Sequence, residues 1–220
     1  MSSYFDSRAT AGAKLAGEFL TAGYRWKDVT VLALDDGGVA VGYQIATYLH
    51  ADLRRLITED IHIDDEDIDF ATVLPGGIIS RNPKLDDETY EYYYGEYAGD
   101  LDERFREAAS RVDAKTGVHE ISPETLRGRN VILVSEGLKN GAILHAVTEW
   151  MKPARVARVI LATPLISVDA LDEAHILMDE LHVLSVVGNY LWTEHYYDQD
   201  DAPDEEMIGD MVGATILDWR

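Results

Sequence analysis

Short aliphatic runs punctuate the chain: VTVLAL (29–34), part of DLRRLITEDI (52–61), NVILV (130–134), RVILATPLI (158–166) and HVLSVVG (182–188). Runs of this kind read as strands buried on both faces of a sheet. Between them the apolar period lengthens toward 3.6. This predicts helices in AGAKLAGEFLTAG before the first strand, GVAVGYQIATYLH after it, NGAILHAVTEWMK after the third and VDALDEAHILMDEL after the fourth. A last helix is predicted in PDEEMIGDMVGATILDW, where Pro203 and the acidic cluster suit a helix N-terminus. The alternation predicts an α/β fold, with a mostly parallel sheet and helices on both faces.

Between residues 62 and 128 the alternation stops. IDFATVLPGGIISRNPKL reads as a hairpin turning at Pro75, Gly76 and Gly77, followed by a long charged helix over 86–113. The expectation is one domain over 1–220, with 62–128 forming a hood or flank between the second and third core strands. On the long helix, Tyr90, Tyr93, Tyr94 and Tyr97 follow i, i+3, i+4, i+7 and make one stripe, suited to packing or to a homodimer contact.

Apolar residues make up 46% of the 220, enough for a substantial core. The net charge of −22, from 19 Lys and Arg against 41 Asp and Glu, repels nucleic acid and anionic membrane surfaces. With no cysteine, disulfides, thiolate metal sites and cysteine nucleophiles are excluded. The longest strongly apolar run, VILATPLISV, falls well short of the roughly 20 residues that span a bilayer. The first 20 residues lack a signal peptide's unbroken apolar core, so a cytoplasmic location is expected.

In an open parallel sheet, ligands sit beyond the carboxyl ends of the strands. Two stretches occupy that position: Asp35, Asp36, Gly37, Gly38 after the first strand, and Ser135 through Ala142 after the third. In the second, Gly137 and Gly141 permit a tight path, the amides of 138–142 can point at an anion beside a helix N-terminus, and Lys139 adds positive charge. An ordinary strand-to-helix turn needs the same glycines, and spacing alone does not separate the two readings. Neither G-x-G-x-x-G nor G-x-x-x-x-G-K-[ST] is present. Asp35 and Asp36 are hard oxygen donors suited to Mg²⁺, or else a solvated acidic turn.

Three segments, YFDSRATAGAKLAGEFL, VTVLALDDGGVAVGYQIATYLHADL and RGRNVILVSEGLKNGAILHAVTEWMKPARVARVILATPLIS, together resemble the type I phosphoribosyltransferase family. The likeness extends to VVGNYLWTEHYYDQDD. It implies chemistry at the anomeric carbon of 5-phosphoribosyl 1-pyrophosphate (PRPP), with Mg²⁺ on the diphosphate. The family's V-D-D-G-x-A-T-G-x-T register reads here Val134, Ser135, Glu136, Gly137, Leu138, Lys139, Asn140, Gly141, Ala142, Ile143. By this resemblance Glu136 would meet a sugar hydroxyl and Gly137, Leu138, Lys139, Asn140, Gly141 and Ala142 would hold the 5-phosphate.

The departures all lower positive potential or remove donors. One acid and both threonines are gone from that loop, and each lost donor is worth about 1 kcal/mol, or up to roughly 3 against a charged partner. The family's Pro-Arg-Gly-Gly diphosphate loop is Asp35, Asp36, Gly37, Gly38, an exchange of one cation for two anions. Its Arg-Lys pair after the second strand is replaced by ITEDIHIDDED; Arg54 and Arg55 come earlier, and alternation lets only one of them face the site. Two functions remain open: a relative that binds PRPP, ribose 5-phosphate or a nucleotide with impaired or altered chemistry, and an active Mg²⁺-dependent transferase. A hydrolase built on Ser135 with Asp169, Asp172, His175 and His182 is disfavoured, because Leu133 stands where a nucleophile elbow needs glycine.

Overall fold

Strand β1 (Val29–Ala33) lies inside a five-stranded sheet, between β2 (Asp52–Arg55) and β6 (Asn130–Val134). The order is completed by β7 (Arg158–Ser167) and the edge strand β8 (Glu180–Val187), and every pairing is parallel. The computed structural model describes residues 4–22, 28–66, 68–116 and 121–217.

Alternation along the central strands sorts side chains between two faces. Leu32, Leu133 and Leu161 pack with Leu144, Trp150 and Ala170 of α4 (Ala142–Met151) and α5 (Val168–Leu177). Val31, Ile132 and Ile160 pack on the other face against α1 (Arg8–Ala22), α2 (Asp36–Leu49) and α6 (Glu205–Leu217). Full burial of one such aliphatic side chain stabilises by about 1.5–3 kcal/mol, so these two layers hold the frame on which the site is built. The predicted α/β class is borne out. Gly23, Asp218 and Trp219, the ends of two predicted helices, lie outside the described residues.

The strand expected in part of 52–61 is β2, which ends at Arg55. The rest of that stretch leads into β3 (Glu59–Ile63), which leaves to join β4 (Ile68–Leu74) and β5 (Ile78–Arg81) in a separate antiparallel sheet. Its β4–β5 turn uses Gly76 and Gly77 at φ 80° and 68°, values that favour glycine. Against this sheet packs α3 (Asp87–Thr116), broken at Tyr97 (φ −112°, ψ 17°). The tyrosine stripe serves that packing: Tyr90 is buried with its ring stacked on Phe70 at 4.4 Å, while Tyr93, Tyr94 and Tyr97 lie half-buried around it. Among the described residues, no helix is long and apolar enough to cross a membrane.

Candidate functional site

A cavity of about 220 Å³ lies between the carboxyl ends of β1 and β6 and the three-stranded sheet. One wall is the loop from β6 to α4, contributing Ser135, Gly137, Leu138, Lys139, Asn140, Ala142 and Ile143. The facing wall supplies Asp60, Asp69, Thr72, Arg81 and Asn82, and Asp35 closes the floor. The lining thus carries both signs: Lys139 and Arg81, the latter with its guanidinium 4.0 Å over the Tyr90 ring and paired with Asp87 and Glu91, against the carboxylates of Asp35, Asp60 and Asp69.

The loop is fixed by its backbone. The Leu138 amide donates to Leu165 O (3.0 Å), and Leu138 O accepts from the Ser167 amide (2.9 Å), which ties the loop to the end of β7. The Ser167 hydroxyl donates to Lys139 O (2.8 Å) and its oxygen also caps α5 by accepting from the Ala170 amide (3.0 Å). Asn140 Oδ1 accepts from the Ala142 amide (3.1 Å), while Gly141, at the N-cap of α4, has no side chain with which to cap the helix. Among the described residues, the Lys139, Asn140 and Gly141 amides pair with no protein acceptor. Free amides at a helix N-terminus are suited to an oxyanion.

Asp35 acts first on its own helix. Its Oδ1 accepts from the amides of Gly38 (2.5 Å) and Glu136 (3.2 Å), so it caps α2 and pins the β6 loop to the β1 loop. Burial raises its pKa, against hydrogen bonds from Ser135, Glu136 and Gly38. Asp36 lies outside the cavity, 2.5 Å from Arg55 Nη2, and Arg55 also reaches Glu205 (2.9 Å). Gly37 and Gly38 permit close approach: a Cβ on Gly37 would stand 2.2 Å from Glu136 Oε2, and one on Gly38 2.8 Å from Val134 O. Among the described residues, no three Asp, Glu or His side chains converge as a metal cage. With Asp35 committed to amides and Asp36 to Arg55, this donor set does not fit a protein-held Mg²⁺.

Glu136 turns away from the cavity. Its Oε2 accepts from Nε of Arg8, at the start of α1, and Arg8 Nη1 also donates to Asp201 (3.1 Å). Arg8 is 1% exposed and lies 4.8 Å from the centroid of the Tyr197 ring, whose hydroxyl donates to Glu136 O (2.6 Å). Burial opposes the charge on Arg8, yet Glu136 and Asp201 together raise its pKa above the ordinary arginine value. Burial first, then the charge of Asp35, push Glu136 up to about 7, with Arg8 pulling the other way.

Of the expected residues, the fold thus brings Asp35, Gly137, Leu138, Lys139, Asn140 and Ala142 to one cavity, and leaves Asp36, Gly37, Gly38, Glu136 and Gly141 off its lining. Asp60, Asp69, Arg81 and Asn82 were not anticipated, nor was the role of Arg8. Arg8 stood inside the quoted DSRATAG motif, the one available signal for it. Ser135 is fully buried, its hydroxyl bonded to the Gly137 backbone, and His182 is engaged with Glu18 and Glu180, so no nucleophilic triad forms.

The model of the phosphoribosyl transferase domain family matches residues 2–200. A protein from two strains of Mycobacterium tuberculosis, named "Putative phosphoribosyl transferase", is 26% identical over 171 residues, covering 73% of this chain. The chain spans about 35% of the length of these relatives. Among solved structures, TT1426 from Thermus thermophilus shares the fold, with a TM-score of 0.70, 24% identity and 98% of each chain covered.

Proposed function

Because the chain belongs to the phosphoribosyl transferase domain family, we propose that it binds a phosphorylated ribose or a nucleotide in the cavity beside the β6–α4 loop, with impaired or altered PRPP chemistry. The observation that carries this reading is the row of unpartnered amides at Lys139, Asn140 and Gly141, at the uncapped start of α4 and next to the Lys139 side chain. Backbone amides pre-set on a helix end recognise phosphate without any particular side chain, so the loss of both threonines weakens the site without removing it. Polyanions such as nucleic acid are disfavoured by the net charge of −22.

Departure of a diphosphate needs positive charge that strengthens as the bond breaks. Asp35, Asp60 and Asp69 line the cavity instead, and the sugar-binding acid of the family register, Glu136, is held by Arg8. In this reading Mg²⁺ enters only with a diphosphate ligand, as its counter-ion. One observation favours the second reading, an active transferase to a nucleobase or similar acceptor: Arg81 of β5 is on the cavity lining. Its guanidinium, now over the Tyr90 ring at 4.0 Å and 3.5 Å from Glu91 and 3.7 Å from Asp87, is the cation that would have to swing in to replace the one the β1 loop lacks.

Calorimetric titration with ribose 5-phosphate, PRPP and nucleoside monophosphates, with and without Mg²⁺, tests the proposal. Binding of ribose 5-phosphate without release of diphosphate from PRPP supports it. Sustained diphosphate release with any acceptor establishes the transferase instead, and absence of binding by all three ligand types refutes both.

A further inference from the structure

Glu173, on α5, carries the buried side-chain oxygen that, among the described residues, has no hydrogen-bond partner: its Oε2. The side chain is 20% exposed and lies directly against Gly141. A Cβ on Gly141 would stand 2.1 Å from that oxygen and 2.6 Å from the carboxylate carbon, so the missing side chain of the α4 N-cap is the space this carboxylate fills. Its basic neighbours stand at ion-pair distance without completing a hydrogen bond to Oε2: His145 Nε2 at 3.3 Å from Oε2 and Lys84 Nζ at 3.7 Å from Oε1.

A carboxylate oxygen buried without a hydrogen bond is unfavourable by itself. What favours it here is the positive end of α4, the end whose free amides face the phosphate in the reading above. Two anions would then share one helix terminus. The carboxylate is resident behind Gly141, off the cavity lining but next to its residues Asn140 and Ala142, so its charge acts on a phosphate in the loop through space. Lys84, which follows β5 in the chain, partly offsets that charge and links it to the three-stranded sheet.

We infer that Glu173 is a specificity-determining residue of the phosphate loop, setting it against dianionic ligands and toward monoanionic ones, with Lys84 as its counterweight. This rests on the proposed phosphate site, whose chemistry it narrows to phosphates of low charge. Repulsion grows with the ligand's charge while the amide hydrogen bonds change less, so the carboxylate separates two esters of the same sugar phosphate.

The test uses ribose 5-phosphate, mostly dianionic at pH 8, and its methyl ester, which stays monoanionic, titrated into the full chain by calorimetry. Glu173→Gln is expected to bind ribose 5-phosphate about tenfold tighter and the ester about threefold tighter. Lys84→Ala, at an exposed position, is expected to move the ratio of the two affinities the opposite way. Circular dichroism should report an intact fold for both variants, and Lys84→Ala keeps the inference testable if Glu173→Gln fails to fold. An unchanged ratio in both variants, with ribose 5-phosphate still bound, overturns the role of Glu173 alone. No binding of either ester by the wild-type protein or the variants removes the phosphate site and this inference with it.

Discussion

Arg8 Nε donates to Glu136 Oε2 across 128 residues of sequence, joining the first turn of α1 to the loop that leaves the central strand β6. Both side chains are withdrawn from solvent, at 1% and 17% exposure. Asp201 holds the same guanidinium from the segment before α6, so one arginine draws three distant parts of the chain together beneath the cavity. Breaking a buried ion pair by removing one partner leaves the other charge uncompensated, which costs about 3–5 kcal/mol. Arg8→Met should therefore lose about that much stability in urea denaturation. For a chain of this size that corresponds to a fall in Tm on the order of 10 °C. A loss under about 1 kcal/mol would mean that Glu136 does not need the arginine.

The acidity of the buried carboxylates sets a pH dependence whose sign follows from linkage. Glu136, pushed up to about 7 in the fold, starts from 4.5. Between those values the folded protein holds a proton that the unfolded chain releases, so stability falls as pH rises through this window. Burial shifts Asp35 and Asp60 in the same direction, which extends the effect to lower pH. Tm should be higher at pH 5.5 than at pH 8. Because salt at about 1 M screens the surface charge but reaches buried groups much less, part of the slope should persist there. Glu136→Gln should flatten the slope between pH 5 and 7; an unchanged slope would assign the effect to surface repulsion alone.

Close approach at the start of α2 gives a third prediction. Gly37 borders both members of the buried pair: an added Cβ would lie 2.2 Å from Glu136 Oε2 and 2.8 Å from Arg8 Nε. Gly37→Ala should destabilise by about 1–3 kcal/mol, the usual range for overpacking. Gly209, in α6, has nothing within 4 Å of its would-be Cβ. Gly209→Ala should stabilise by about 0.5–1 kcal/mol through helix propensity. Paired thermal melts check both signs, and equal shifts for the two variants would refute the packing account.

The sheet was legible in the sequence because strands covered on both faces read as unbroken aliphatic runs, and 29–33, 130–134 and 158–167 are strands of that kind. The division at Arg55 was not, since DLRRLITEDI carries strand on both sides of residues 56–58 and sheet membership is decided by distant partners: Ala33 for Arg55, Val73 for Glu59. The phosphate loop was visible as a glycine-punctuated strand-to-helix turn. Arg8, Asp60, Arg81 and Glu173 were not visible as site residues, because each reaches its position through tertiary contacts that leave no local pattern. Glu136 was placed on a sugar hydroxyl by resemblance, whereas its geometry is set by an arginine 128 positions away.

The sharpest mutational test of where a ligand sits is Gly141→Val. This residue begins α4 at φ −93° and ψ 4°, in the bridge region that L-residues adopt in turns, so the variant needs no left-handed backbone. Its conflict is local: the first side-chain atom would enter the space of the Glu173 carboxylate, 2.1 Å from Oε2. Valine's branched Cβ has few rotamers with which to escape, and the displaced carboxylate or the valine methyls would shield the neighbouring amides. Stability should fall modestly, by about 1–3 kcal/mol, because the α4 core residues Leu144, Val147 and Trp150 are untouched. Binding of ribose 5-phosphate should drop at least tenfold if those amides carry it, with circular dichroism matching the parent. Affinity unchanged in a folded variant would place the phosphate elsewhere, and among the described cations of the cavity Arg81 would be the next to replace.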